Sequence, residues 1–351
     1  MWKIIDLTKK LGINLPIIQA PMAGGATTPQ LVSAVSNSGG LGSLGAGYMA
    51  PNEIRQAIKK IRELTNKPFA VNLFIPEDHQ ASSIQIQNAC DDINQACGEL
   101  DIEIFPVKRP YTPVFAEQLH VVLEEKVPVF SYTFGLLNVE WVSQLKKNHT
   151  VLIGTATSLT EAYALQENGA DIIIAQGSEA GGHRGTFLDK AENSLIGLMS
   201  LVPQLIDAIK IPIVAAGGIM DGRGIVAALQ LGSCGVQMGT AFLTCHESGT
   251  PLIYKKILLI QKQDNTILTR SFSGKLARGI RNQFTDNLNQ SNILDYPIQN
   301  ALTSVMRKAA IIKNNTNFMS LWSGQSAQLC RDMSASELMN ELTVEVEALL
   351  N

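Results

Sequence analysis

The densest chemistry in this sequence lies in one stretch: Gln176, Gly177, Ser178, Glu179, Ala180, Gly181, Gly182, His183, Arg184, Gly185. Imidazole is the side chain that exchanges protons most readily near neutral pH, so a histidine on a glycine-rich loop is a candidate acid or base. His183 is that candidate, and its glycine neighbours are expected to let the ring swing; a histidine that merely caps a surface loop is the plainer alternative. His79, His120, His149 and His246 have no such setting and form no metal-ligand constellation, so no metal site is expected. Two glycine clusters end apolar runs: Gly217, Gly218, Ile219 with Asp221 and Gly222, and Gln237, Met238, Gly239, Thr240. Glycines let a backbone approach a phosphate and present several N–H donors to it. A phosphate-bearing ligand at Gly218 and Gly239 is the reading taken, with tight turns alone as the alternative. Asn72 and Gln176 offer amides that can both donate to and accept from a polar ring edge, although Asn72 also suits a core amide.

These residues can meet only if one fold brings the ends of separate runs together. Eight short β-rich runs, at 16–21, 40–47, 69–75, 127–134, 151–157, 171–176, 212–217 and 235–242, alternate with segments of helical period. Several are apolar without alternation, as in Ile172, Ile173, Ile174, Ala175, which suits strands covered on both faces. The count predicts a (β/α)₈ TIM barrel, whose active sites sit at the C-terminal strand ends and whose phosphate sites favour the seventh and eighth loops. Helix starts are expected at Thr28 before Pro29, at Asn52, at Ser158 with Glu161, and at Asp221 before Gly222. The 76–126 connection is long enough for an extra helix and loop near 91–113, and 246–332 exceeds what a barrel needs after its last strand. The expected organisation is a barrel from 1–245 and 333–351 with a mostly helical cap, 246–332. Ser334 and Glu337 have capping-box spacing ahead of the closing helix.

Other classes are disfavoured. Gly40, Gly42 and Gly45 match a dinucleotide fingerprint but fall within a strand, and no P-loop sequence occurs. The 28 Lys and Arg against 31 Asp and Glu give a net charge of −3 with no long basic run, so nucleic acid is not an expected partner. No run of about 18 apolar residues suggests a membrane span. Five cysteines without a CxxC pair read as reduced thiols, and a cytoplasmic location is expected.

The run Pro16 to Gly25 (PIIQAPMAGG), Asn72, the loop from Gly177 to Gly185, Ala215 to Gly224, Val236 to Phe242, Phe272 to Gly279 and Leu321 to Gln325 together resemble the nitronate monooxygenases, formerly called 2-nitropropane dioxygenases, and among them the bacterial class. The resemblance spans about Leu7 to Gln325. It implies an FMN-dependent barrel enzyme that oxidises alkyl nitronates, notably propionate 3-nitronate, with O₂ through single-electron transfer to the flavin. It places the family's flavin contacts on Asn72, Gln176, Gly181, Gly218, Gln237, Met238, Gly239 and Thr240, and its histidine on His183. The implied partners are a small nitronate and O₂, and the resemblance leaves room for a homodimer. Flavin-dependent enoyl-ACP reductases and NAD(P)H:quinone reductases share part of the pattern and are the alternatives, with a non-catalytic flavin-binding module behind them. Ala20 to Gly24 and the long cap argue against the enoyl reductases.

Overall fold

Unbroken Ile, Val and Ala runs exclude water from both faces of a strand, and a ring of parallel strands inside a ring of helices provides such a setting. The computed structural model describes residues 2, 3 and 6–350. Its strands are β1 (Ile17–Gln19), β2 (Gly42–Gly45), β3 (Phe69–Phe74), β4 (Val129–Thr133), β5 (Val151–Ala156), β6 (Ile172–Gln176), β7 (Gly182–His183), β8 (Ile213–Ala216), β9 (Gly235–Met238), β10 (Thr266–Thr269) and β11 (Ala277–Ile280). Eight of them form one parallel sheet in the order β1-β9-β8-β6-β5-β4-β3-β2. Gln19 N–H donates to Leu41 C=O at 2.9 Å and Leu41 N–H to Ile17 C=O at 3.0 Å, which brings the two edges together. The sheet is thus the predicted (β/α)₈ barrel. Side chains alternate: Ile18, Ala70, Val129, Ile153, Ile174 and Val214 pack in one cluster with Leu7 and Leu11 of the first helix, while Ile17, Val71, Phe130, Leu152 and Ala215 pack in another with the surrounding helices.

Helix ends follow local chemistry. Thr28 Oγ1 accepts from Leu31 N–H at 3.1 Å, and Asp221 Oδ1 from Gly224 N–H at 3.2 Å, as expected. Ser334 and Glu337 exchange their capping bonds, and the helix Ala335–Leu350 packs against Pro29–Asn37 and Gly222–Gln230 to complete the outer ring. Asn52 is not a cap. The helix begins at Pro51, whose fixed φ suits a first helical position, and Glu53 accepts the Ala50 N–H at 2.7 Å. The last barrel strand ends at Met238, and Thr240–Leu243 turns into a short helix where extended chain was expected. The extra helix is Ser83–Ala96, started by a Ser82–Gln85 box, so it lies ahead of most of the 91–113 window.

After β9 the chain builds helices Leu252–Leu259, Ile298–Leu302 and Ser304–Ile312 around an antiparallel ribbon, β10 with β11. Leu258, Phe272, Phe284, Leu302, Met306 and Phe318 form its core together with Ile86, Cys90 and Ile93 of the helix Ser83–Ala96. The excursion after β3 and the segment after β9 therefore share one apolar cluster above the barrel mouth. Among the described residues no helix is long and apolar enough to cross a membrane, and no His, Cys, Asp and Glu group has metal-site geometry.

Candidate active site

A cavity of about 820 Å³ opens at the C-terminal ends of the barrel strands, beneath the cap. That volume lies within the range of about 300–1,000 Å³ typical of small-molecule sites. Asn72, Gln176, Gly181, His183, Gly218, Gln237, Met238, Gly239 and Thr240 all line it, so the fold brings every sequence-proposed site residue to one space.

The His183 loop, whose glycines were expected to let the ring swing, is hydrogen-bonded at several points in this conformation. Gly182 takes φ +74°, which lets the chain leave the barrel and join the cap ribbon, where His183 pairs with Ala277 and Gly182 with Arg278. Gln176, at the end of β6, donates from Nε2 to His183 C=O at 3.0 Å and accepts Gly185 N–H at 2.8 Å. Its amide, expected to serve the ligand, is thus largely committed to the loop and keeps one N–H in reserve. Arg184 is fully buried and donates to the carbonyls of Gly177, Gln176 and Ser194 at 2.6, 3.0 and 2.9 Å. Glu161 does not complete a capping box. Its buried carboxylate instead accepts the Thr157 and Phe187 N–H groups at 2.7 and 2.6 Å and the Thr186 hydroxyl at 2.6 Å, which ties down the far end of the loop.

Around the imidazole stand the rings of Trp322, Phe134, Tyr296 and Phe74, with centroids 5.3, 5.9, 6.4 and 6.5 Å away. His183 Nε2 lies 2.8 Å from Ser273 Oγ. Ser273 Oγ also donates to Lys275 C=O at 3.1 Å and accepts Lys275 N–H at 3.3 Å. If the hydroxyl proton goes to Lys275 C=O, the imidazole proton sits on Nε2 and Nδ1 accepts; if it goes to Nε2, the tautomer reverses. The Lys275 ammonium pairs with Glu77 and sits 4.5 Å over the Phe134 ring. Burial, reinforced by the charges of Lys275 and Arg307, pushes the His183 pKa down to about 3. The ring is therefore neutral at physiological pH. Ser273, Lys275, Tyr296 and Arg307 were given no site role from the sequence. They come from the cap, and no local periodicity or motif spacing connects them to residue 183.

The opposite wall suits a phosphate. Gly217 and Gly218 take φ +132° and +68°, a left-handed path that any side chain would strain. Gly239 differs: its backbone is unexceptional, and a Cβ there would meet nothing closer than Ala20 at 3.5 Å and Met22 at 3.8 Å. The chain's own packing does not require glycine at 239, so the bare backbone is free to face a ligand. Asn72 Nδ2 donates to Ser131 Oγ at 3.0 Å, while its Oδ1 has no hydrogen bond among the described residues. Among those residues no carboxylate lines the cavity, and three cations, Lys108, Arg307 and Lys308, do. Anions and a polar ring edge both fit these walls.

A cavity at the C-terminal strand ends of a parallel barrel is where enzymes of the (β/α)₈ fold place their sites. A family model described as nitronate monooxygenase matches residues 6–345. A Staphylococcus saprophyticus protein named probable nitronate monooxygenase is 46% identical over 349 residues, 98% of each chain. A Staphylococcus aureus protein of the same name is 44% identical over 354 residues, covering 100% of this chain and 99% of its own. Among solved structures, the nitroalkane oxidase from Streptomyces ansochromogenes superposes with a TM-score of 0.90 at 38% identity, covering 99% of this chain and 100% of that one. FabK from Thermotoga maritima superposes at 0.77 with 30% identity, covering 98% and 96%. The chain belongs to the nitronate monooxygenase family and is a flavin-dependent oxidoreductase.

Proposed function

We propose that this enzyme binds FMN and oxidises alkyl nitronates, propionate 3-nitronate among them, with O₂ and without a nicotinamide. The observation that carries this reading is His183, neutral and in contact with Ser273, in a cavity whose described lining carries Lys108, Arg307 and Lys308 and no carboxylate. An electron donor that is already an anion needs attraction and orientation rather than proton removal.

When bound, the flavin supplies single-electron acceptance from the nitronate and onward reaction with O₂. Gly218, Gly239 and Thr240 would hold its phosphate, and Asn72 Oδ1 and the remaining Gln176 N–H would be available to its polar ring atoms, with Gly181, Gln237 and Met238 also lining the cavity. FMN is preferred to FAD because, among the described residues, no second phosphate site accompanies the glycine turns. The aromatic rings around His183 exclude water, which strengthens every electrostatic interaction inside. His183 orients the nitronate; where a neutral nitroalkane is accepted, the imidazole is the group that receives its proton. A cytoplasmic location belongs to the same reading, supported by five cysteines without a CxxC pair.

The likeness to FabK favours a second reading, a reductase drawing on NADH or NADPH, although it is weaker than the likeness to the nitroalkane oxidase. An oxygen electrode separates them. Purified enzyme given propionate 3-nitronate alone is expected to consume O₂; consumption only when NAD(P)H is present would support the reductase.

A further inference from the structure

We propose that the indole Nε1–H of Trp322 donates a hydrogen bond to an oxygen of the nitronate and so holds the reacting group beside His183. This rests on the nitronate-oxidising reading above.

Four rings surround the imidazole, and three of them, Phe74, Phe134 and Trp322, also line the cavity. A phenyl ring carries no donor. Trp322, its centroid 5.3 Å from that of His183, is therefore the member of this wall that can offer a hydrogen bond to a ligand. Among the described residues its Nε1–H donates to no group, and it is not sealed inside the protein as the unpartnered Nε1 of Trp2 is. A packed indole usually finds a partner for its N–H, and here the open side belongs to the cavity.

The ring is held in place by the ribbon that also holds His183. Its Cε3 edge lies against Gly279, where an added Cβ would come within 3.0 Å of that edge and 2.8 Å of Leu321 C=O. Phe272 stands edge-on to it at 5.5 Å and 85°. On either side the backbone is tied to β11, with Ile280 N–H donating to Leu321 C=O at 2.8 Å and Ser323 N–H to Arg278 C=O at 3.3 Å. The Tyr254 hydroxyl donates to Trp322 C=O. Since β11 pairs with His183 at Ala277, the indole and the imidazole are set against one frame, and a ligand between them meets groups already in position.

The indole nitrogen only donates, which suits an oxygen that carries negative charge and only accepts. Lys108 and Lys308 attract an anion by charge alone, and the indole adds direction. Its bond is made to the anion before any electron leaves it, so it acts on binding, and its loss belongs in KM more than in kcat.

The test follows the indole itself. The three tryptophans give three indole signals in a ¹H–¹⁵N spectrum of the FMN-loaded protein, and the one absent from Trp322→Phe is that of Trp322. Nitrate, a planar oxyanion that cannot be oxidised further, is the probe. Its titration is expected to move the Trp322 signal and leave those of Trp2 and Trp141 in place. A hydrogen bond to a charged group commonly contributes about 10- to 100-fold in affinity, so nitrate is expected to bind Trp322→Phe more weakly by about that factor. For propyl-1-nitronate, whose only charge is the nitronate, KM is expected to rise about 10-fold or more in Trp322→Phe, with kcat changed less. A Trp322 signal unmoved at every nitrate concentration overturns the assignment, as does an unchanged KM or release of FMN from Trp322→Phe. If that variant fails to fold, Trp2→Phe and Trp141→Phe identify the third signal, and the wild-type nitrate titration decides. If nitrate moves the signal but no nitronate is oxidised, the functional reading falls and the oxyanion site at Trp322 stands.

Discussion

His183 and Ser273 are 90 residues apart in the chain, and their Nε2 and Oγ atoms are 2.8 Å apart in the fold. The contact joins the barrel's catalytic rim to the cap. It depends on a turn at Gly274, which takes φ +81° and where a Cβ would lie 2.1 Å from Leu294 C=O. The segment after β9 thus supplies a hydrogen-bonding partner to a histidine of the cavity wall.

Ser273→Ala removes that atom and leaves Nε2 without its partner. A buried donor or acceptor left unsatisfied costs about 1–3 kcal/mol, so kcat/KM on a nitronate is expected to fall about 10-fold while flavin content at purification is retained. Steady-state kinetics on the flavin-replete variant check this; an unchanged kcat/KM would mean that the contact does not orient the ring.

Gly239→Val tests the phosphate wall, since φ is negative there and a Cβ would meet only ordinary contacts, Ala20 at 3.5 Å and Met22 at 3.8 Å. FMN affinity is expected to drop by at least about 10-fold with the fold intact, because a β-branched group would fill the space the phosphate needs. Gly218→Val is the weaker test: its φ of +68° strains any side chain, so it also loses stability. An unchanged FMN dissociation constant in Gly239→Val would move the phosphate elsewhere.

The barrel was legible because Ile172–Gln176 and Ile213–Ala216 are apolar without alternation and because Thr28 and Asp221 cap helices with their own side chains. Boundaries were less legible where a single residue decides, as at Pro51 and at Thr240, where the chain changes from strand to helix within two residues. The glycine loops and His183 could be found because each is a local pattern at a strand end. Ser273, Lys275 and Arg307 could not, since their role is created by tertiary packing of the cap on the rim. Gln176 shows the same limit in reverse: its amide suits a ligand, yet it spends its carbonyl and one N–H on the His183 loop.

The depressed pKa of His183 sets two pH dependences. The folded protein keeps this ring neutral down to about pH 3, whereas an unfolded chain protonates it near its ordinary 6.5. Between those values the unfolded state binds the extra proton, so this contribution to stability is complete above about 6.5 and is lost progressively as pH falls toward 3. Thermal unfolding at stepped pH is expected to show Tm declining below 6.5, less steeply in His183→Asn. For turnover of a preformed nitronate no step near pH 6.5 is expected in kcat/KM; a histidine-like step there would show that His183 titrates normally.

His183→Asn should separate orientation from proton transfer. A lost proton-transfer group typically costs about 10²- to 10⁴-fold in rate. The loss on a neutral nitroalkane is expected to exceed that on its own anion, for which no proton need move. Equal losses on matched neutral and anionic forms would remove the base role and leave orientation alone.

The central claim, electron transfer from a nitronate without a nicotinamide, is tested most directly by anaerobic mixing. FMN-loaded enzyme is combined in separate experiments with propionate 3-nitronate, NADH and NADPH while the visible flavin spectrum is followed. The account predicts rapid loss of the oxidised flavin bands with the nitronate, recovery on admitting O₂, and no change with either nicotinamide. Reduction by NADH or NADPH with no response to the nitronate would contradict it.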